Sequence, residues 1–344
     1  MDKIIVENST WNNLGDGFYQ FSLYELIKQI FPQSNVFMGE GPVKRAFHPN
    51  TKQLKNALRV SEYEIADLHV FSGPIVMAIS KPEYSVPIKK IVERGGRYAL
   101  ISVSCSGLSG EPLEEVRAFL KKYPPVIFSS RDPETYEKFK DYVPSSYNGI
   151  CTAFLVDNVL NIDKIILDKK YFISSFYRNP EPIFKVKNND LCIDNIELIP
   201  NNNLINKLPY RLSRHLQIFN EVQDELNDYK IVRAVQQVSN KSNNFNFKHP
   251  NSFITFNPLN LLSVIKGAEF TISERVHACA TTLAFGKPAR IIIDSPRCGI
   301  FERFGFDWKS NDGIMKPDSQ FLNTIELEKN LLVEYIKNNI KEIE

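Results

Sequence analysis

At 344 residues the chain exceeds what one hydrophobic core usually fills and suits two domains of roughly 150 residues each. Its 43% hydrophobic and 24% charged residues are those of a folded globular protein and exclude disorder as the main state. Forty-two basic against forty acidic residues leave a net charge of +2, so no whole-molecule field draws the chain to nucleic acid and any anion has to be held locally. In chain order, "KIIVEN" (3–8) predicts a strand and "GFYQFSLYELIKQIF" (17–31) a helix. Strands follow at 67–73, 97–104 and 125–130, with helices between and after them at 82–96, 111–123 and 132–142. Such alternation means a parallel sheet covered on both faces.

Beyond "GICTAFLVDN" (149–158) the pattern blurs, and the domain boundary is placed near residue 165. The second half predicts a strand at 170–177, a long helix over 213–229 and a strand at 230–238. Helix 257–268, strand 269–273, helix 276–286 and strand 288–294 complete a second α/β set. The Asn-rich stretches 201–203 and 243–246 read as surface loops. Residues 319–343 form an amphipathic helix with no strand after it. The expected division is therefore 1–165, 166–320 and a terminal helix 321–344 that packs back on the first lobe. Five cysteines (Cys105, Cys151, Cys192, Cys279, Cys298) are scattered without a C-x-x-C pair, which fits reduced thiols of a cytosol better than a disulfide framework. No apolar run approaches the ~20 residues of a bilayer span. The expectation is a cytoplasmic protein whose membrane contact, at the inner face, is peripheral at most.

The segment "EFTISERVHACATTLAFGKPARIII" (269–293) puts Arg275 and His277 where a buried strand passes into a helix. Ser273 is able to cap that helix, and its first turn offers free N–H groups and the positive end of the dipole at the crevice side of an α/β sheet. An anion there would meet a guanidinium, an imidazole and backbone donors together. The backbone argument does not choose the anion, and a surface arginine beside a helix-start histidine explains the same residues.

These residues resemble the S-x-R-hydrophobic-H motif, Ala-rich helix and G-x-P of the polysaccharide pyruvyl transferases. "NNLGDGFYQFSLYELI" is similar to that family's N-x-G-D loop through Asn13, Gly15 and Asp16, and "FSSRDPETYEKFK" resembles a further segment through Arg131 and Asp132. The resemblance implies two Rossmann-like lobes of glycosyltransferase-B type with a cleft between them. It also implies phosphoenolpyruvate as donor, a saccharide or lipid-linked saccharide as acceptor, a pyruvate ketal as product, and neither cofactor nor metal. Consistent with the last point, the sequence has no D-x-D pair and no histidine cluster at ligand spacing.

For such a donor Arg275 suits a carboxylate or phosphate because its planar fork binds either group bidentately, and His277 is the candidate acid. Asp16 fits either a partner for sugar hydroxyls or a helix cap; Asn13 fits the same loop or a turn, with Gly15 permitting a tight turn. Ser273 is taken as a substrate-side residue and Arg178 as a second cation, a solvated strand-end arginine being the alternative. Lys287 and Arg290 read as surface charges and His69 as a hydrogen-bonded core residue. Trp11 fits stacking on a sugar ring or plain burial. Two other functions stay open: a metal-independent glycosyltransferase using a nucleotide-sugar, and an inactive glycan-binding relative.

Overall fold

The computed structural model of the chain describes residues 1–8, 11–39, 50, 52–53, 56, 62–177, 179–188, 190–201, 222–237, 249–309 and 312–340. Its first half is a six-stranded sheet of β1 (Lys3–Glu7), β2 (Asn35–Gly39), β3 (Leu68–Gly73), β4 (Arg97–Val103), β5 (Phe128–Ser130) and β6 (Ser146–Asn148). The strand order is β2-β1-β3-β4-β5-β6 and every pairing is parallel. The β-branched runs form strands because both faces are covered, and β3 is buried along its whole length. β2 has no such run to announce it: it is a half-exposed edge strand. Helices α1 (Leu14–Ile30), α2 (Pro82–Glu93), α3 (Glu111–Lys122) and α4 (Pro133–Phe139) connect the strands. Proline at the first or second position of the last three begins each where its missing N–H costs nothing. α1 begins three residues before the expected start, with Asn13 at its N-cap position.

The second sheet contains β7 (Tyr171–Ser175), β10 (Glu225–Leu226), β11 (Tyr229–Ala234), β13 (Thr271–Ser273), β14 (Ala289–Ile291) and β15 (Ile314–Met315), in the order β10-β11-β7-β13-β14-β15, with β12 (Ser252–Phe253) on β11. The hairpin β8 (Ile183–Val186) and β9 (Ile196–Ile199) stands apart. Helices α5 (Pro258–Gly267), α6 (Val276–Ala284) and α7 (Ser319–Asn339) follow. The helix expected over 213–229 is corrected: residues 213–221 lie outside the described residues, and the rest is the β10–β11 hairpin. Leu226 faces Tyr229 across a two-residue turn in which Asn227 takes φ 52°, a left-handed conformation asparagine tolerates. That Asn-Asp turn outweighs the helical spacing of the preceding apolar residues.

One core cluster runs under both sheets, from Ile4 and Val70 through Phe154 to Ile173, Leu261 and Leu332. Phe154 meets Phe301, Phe304 and Phe321 edge-on. α7 lies against the first half: Tyr335 stacks on Tyr147 and its hydroxyl is 2.8 Å from Ser145 Oγ. Arg290, expected at the surface, is 9% exposed; its guanidinium donates to the carbonyls of Ile196 and Asp312, and burial lowers its pKa. It stitches β9 to the sheet.

Two positions in this architecture stand out. In the first sheet the chain leaves β1 for β2 on one side and returns as β3 on the other; in the second it leaves β7 for β11 and returns as β13. The carboxyl ends of β1/β3 and of β7/β13 are thus topological switch points, where open α/β sheets form their ligand crevices.

Candidate functional site

Beyond the β7/β13 switch point lies a cleft of about 230 Å³ lined from both halves of the chain, by Asn13, Asp16, Ser106 and Arg131 on one side and Gln236, Glu274, Arg275 and His277 on the other. α6 points its N-terminus into it. Arg275 occupies the N-cap position and makes no side-chain cap, and the first N–H to find a helical acceptor is that of Cys279, on the Arg275 carbonyl. Apart from the Arg275 N–H, which bonds Ser273 Oγ, the first-turn N–H groups and the dipole point to the cleft end of the helix.

His277 is at the centre of the arrangement. Arg131, carried from the other sheet at the end of β5, donates from Nη1 to His277 Nε2 at 3.3 Å. A guanidinium only donates, so Nε2 is the acceptor in this bond. Tyr19 of α1 packs edge-on to the same ring at 5.0 Å and lies under the Arg131 guanidinium. Gly15 allows this approach: a Cβ there would sit 3.3 Å from His277 Cβ and 3.0 Å from Gln236 Oε1. Arg275 lies over the Tyr177 ring at 4.5 Å and reaches Gln237 Oε1 at 3.5 Å. Below it Glu274 accepts from the backbone N–H of Tyr177 and from both nitrogens of Asn179. That brace fixes the strand-to-helix corner.

Arg131 is the least compensated charge here. It is 2% exposed, and among the described residues it forms no ion pair with a carboxylate and its Nε has no hydrogen-bond partner. The nearby Cys151 thiol offers no anion, because burial pushes its pKa up against the pull of Arg131. Gln236 Nε2 is likewise buried and unpartnered in the cleft wall. A buried cation and a buried amide left in this state cost free energy unless a ligand meets them.

The structure brings together four of the seven sequence-chosen residues, Arg275, His277, Asn13 and Asp16, at one cleft. Asn13 Nδ2 donates to Asp16 Oδ1 at 3.1 Å, holding the carboxylate in the first turn of α1. Asp16 is therefore not the helix cap. Gly15 lies one residue away in the helix and serves close packing, not a tight turn. Ser273 is corrected: it is neither the N-cap nor at the cleft surface. It is fully buried, donating to the Ser175 carbonyl and accepting from Arg275 N–H, so it anchors the corner on which Arg275 stands. Arg178 lies outside the described residues. Trp11 donates to Gln20 Oε1 and packs on Phe21, half-buried.

Sequence reasoning matched Arg131 to a family segment without giving it a role, and left out Gln236 and Arg297. The signal for Arg131 was present, an arginine between the strand end and the capping Asp132, whose carboxylate accepts from Thr135 N–H. Gln236 sits in a loop and Arg297 in a one-turn 3-10 helix, Pro296–Cys298, neither within a motif. Among the described residues no group of three His, Cys, Asp or Glu is placed to hold a metal, and no helix is long and apolar enough to cross a membrane.

A family model described as polysaccharide pyruvyl transferase matches residues 13–296. Among solved structures, Staphylococcus aureus MnaA with UDP is similar at 12% identity and TM-score 0.51, over 100% of this chain and 99% of that one. A putative UDP-N-acetylglucosamine 2-epimerase from Listeria monocytogenes is similar at 8% identity and TM-score 0.54, over 97% and 89%. At such identities the likeness establishes the fold alone, two α/β lobes of glycosyltransferase-B type. No curated protein matches the chain. The family match spans most of the chain, which belongs to the polysaccharide pyruvyl transferase family.

Proposed function

We propose that this member of the polysaccharide pyruvyl transferase family moves the enolpyruvyl group of phosphoenolpyruvate onto a pair of sugar hydroxyls, releasing phosphate and leaving a pyruvate ketal. The observation that carries the reading is Arg131: a buried guanidinium without a carboxylate, facing a helix N-terminus across His277. A small ligand with both a carboxylate and a phosphate supplies two anionic groups for Arg131, Arg275 and the α6 N–H groups.

In this reading the first hydroxyl adds to C2 of the enol while the C3 methylene takes a proton and becomes a methyl group. Phosphate leaves with the C–O bonding pair, and the second hydroxyl adds at C2. Of the two hydroxyl protons, one balances the proton gained at C3 and the other leaves on phosphate. When the donor anion takes over the Arg131 N–H, His277 Nε2 is released to hold the proton for C3. Arg275 takes the second anionic group, and Asp16, held by Asn13, faces the incoming hydroxyl. The acceptor is a saccharide, free or lipid-linked.

Titration calorimetry with phosphoenolpyruvate and with UDP tests this directly. Binding of phosphoenolpyruvate that Arg131→Ala abolishes is expected. No affinity for it, or UDP bound in its place, overturns the reading.

A further inference from the structure

Beside the cleft, at the switch point of the first sheet, lies a second cavity of about 270 Å³. Glu7 and Asn8 at the end of β1, Phe71 and Ser72 at the end of β3, and the aromatic residues Tyr19 and Tyr84 line it. Pro74, Met77 and Arg297 line both cavities. Tyr19, edge-on to His277, also lines the second one.

The lining includes a buried acid. Glu7 is 4% exposed, and its Oε1 is 2.9 Å from Nδ1 of His69, itself 1% exposed. The partnership follows from register: Ile5 of β1 faces His69 of β3, so Glu7, two residues further on, falls on the same face. Its other oxygen, Oε2, is buried and has no partner among the described residues, and the same holds for Ser72 Oγ. Gly39 of β2 makes the room, since a Cβ there would lie 2.9 Å from Glu7 Oε2. Burial is the largest influence on the Glu7 carboxyl and raises its pKa against the pull of His69; Glu64 pushes the same way as burial. A carboxyl in that setting is costly to the fold, and such costs mark sites kept for a ligand.

We infer that this cavity is a saccharide-binding subsite in which Glu7 Oε2 and Ser72 Oγ recognise hydroxyl groups of one sugar ring and His69 is the positioning residue behind Glu7. A hydroxyl both donates and accepts, so adjacent hydroxyls satisfy a carboxyl oxygen and a serine together. The rings of Tyr19 and Tyr84 offer faces to the apolar side of a pyranose. Lys81 and Arg297 also line it and oppose a cationic ligand. The inference rests on the proposed transfer only in calling the sugar the acceptor; the shared wall then puts its free hydroxyls beside the donor cleft.

Saturation-transfer NMR with methyl galactoside, methyl glucoside, methyl mannoside and methyl N-acetylhexosaminides, run without phosphoenolpyruvate, tests it. At least one glycoside is expected to bind wild-type protein, and to bind Glu7→Gln and Ser72→Ala at least tenfold more weakly, while both variants keep the wild-type melting profile at pH 4. For His69, the Ala variant loses binding and the Gln variant, which keeps an N–H for Glu7 Oε1, restores it. Binding by none of the glycosides, or equal binding by Glu7→Gln, overturns the inference. Failure of phosphoenolpyruvate to bind while a glycoside does so through Glu7 would remove the donor and leave this subsite standing.

Discussion

At the second sheet's switch point a buried arginine lacks a carboxylate, and a helix aims its positive end beside it; at the first sheet's switch point a buried glutamate leaves one oxygen unpartnered over a histidine. The two cavities are built on the same topological feature and share a wall, one holding a buried guanidinium and the other a buried carboxyl. The fold therefore provides two adjoining crevices and leaves the choice of ligand to a few residues at the strand ends. Free energy is held in reserve at both: a cation and a carboxyl are desolvated with incomplete compensation.

The sharpest way to break the comparison is at the cationic cavity. His277→Ala is expected to lower phosphate release from phosphoenolpyruvate by about 10²- to 10⁴-fold with little change in melting temperature; an unchanged rate would remove the imidazole from the chemistry. Arg275→Lys keeps the charge and loses the planar fork, and a drop of about 10²- to 10³-fold in kcat/KM is expected. If lysine serves as well as arginine, bidentate binding at that position is wrong. Gly15→Ala pushes a methyl group against His277 Cβ and Gln236 Oε1 and is expected to cost about tenfold in rate through misplacement of the ring. Steady-state kinetics at matched stability would detect it.

The cavity around Glu7 answers to pH. The folded-state pKa of Glu7 is raised above its ordinary value of 4.5 by burial, so its contribution to stability is complete at low pH and is lost as pH climbs from that value through the raised one. Glu7→Gln is accordingly expected to melt higher than wild type at pH 8, with the gap closing toward pH 4. Superimposable melting temperatures across that range would mean that no such cost is stored. The smallest effect concerns the thiols. Burial pushes Cys105, Cys151, Cys279 and Cys298 up, the last to about 12, whereas Cys192 is only half-buried. Mass spectrometry after a short exposure to a thiol reagent at pH 8 should find Cys192 labelled first, and early labelling of Cys279 would contradict the packing.

How much of this was legible depends on which forces act locally. The parallel strands and the helices opened by proline could be read because β-branched runs and fixed φ are properties of short segments. β2 and the β10–β11 hairpin could not, since one is a half-exposed edge and the other hangs on a two-residue turn. Arg275 and His277 were readable as a helix start beside a strand. Ser273 misled because a serine at a strand end caps a helix in some corners and, in this one, donates to the neighbouring strand β7.

By itself the sequence determined the α/β alternation, the two-lobed class and the cationic helix start, because periodicity, capping and family motif act within about twenty residues of chain. Tertiary structure alone decided that Arg131, 146 residues from His277, donates to its ring, and that Glu7 meets His69 across 62 residues. Such pairs depend on which strand neighbours which and in what register, and burial then sets their charge balance. A one-dimensional pattern carries neither quantity.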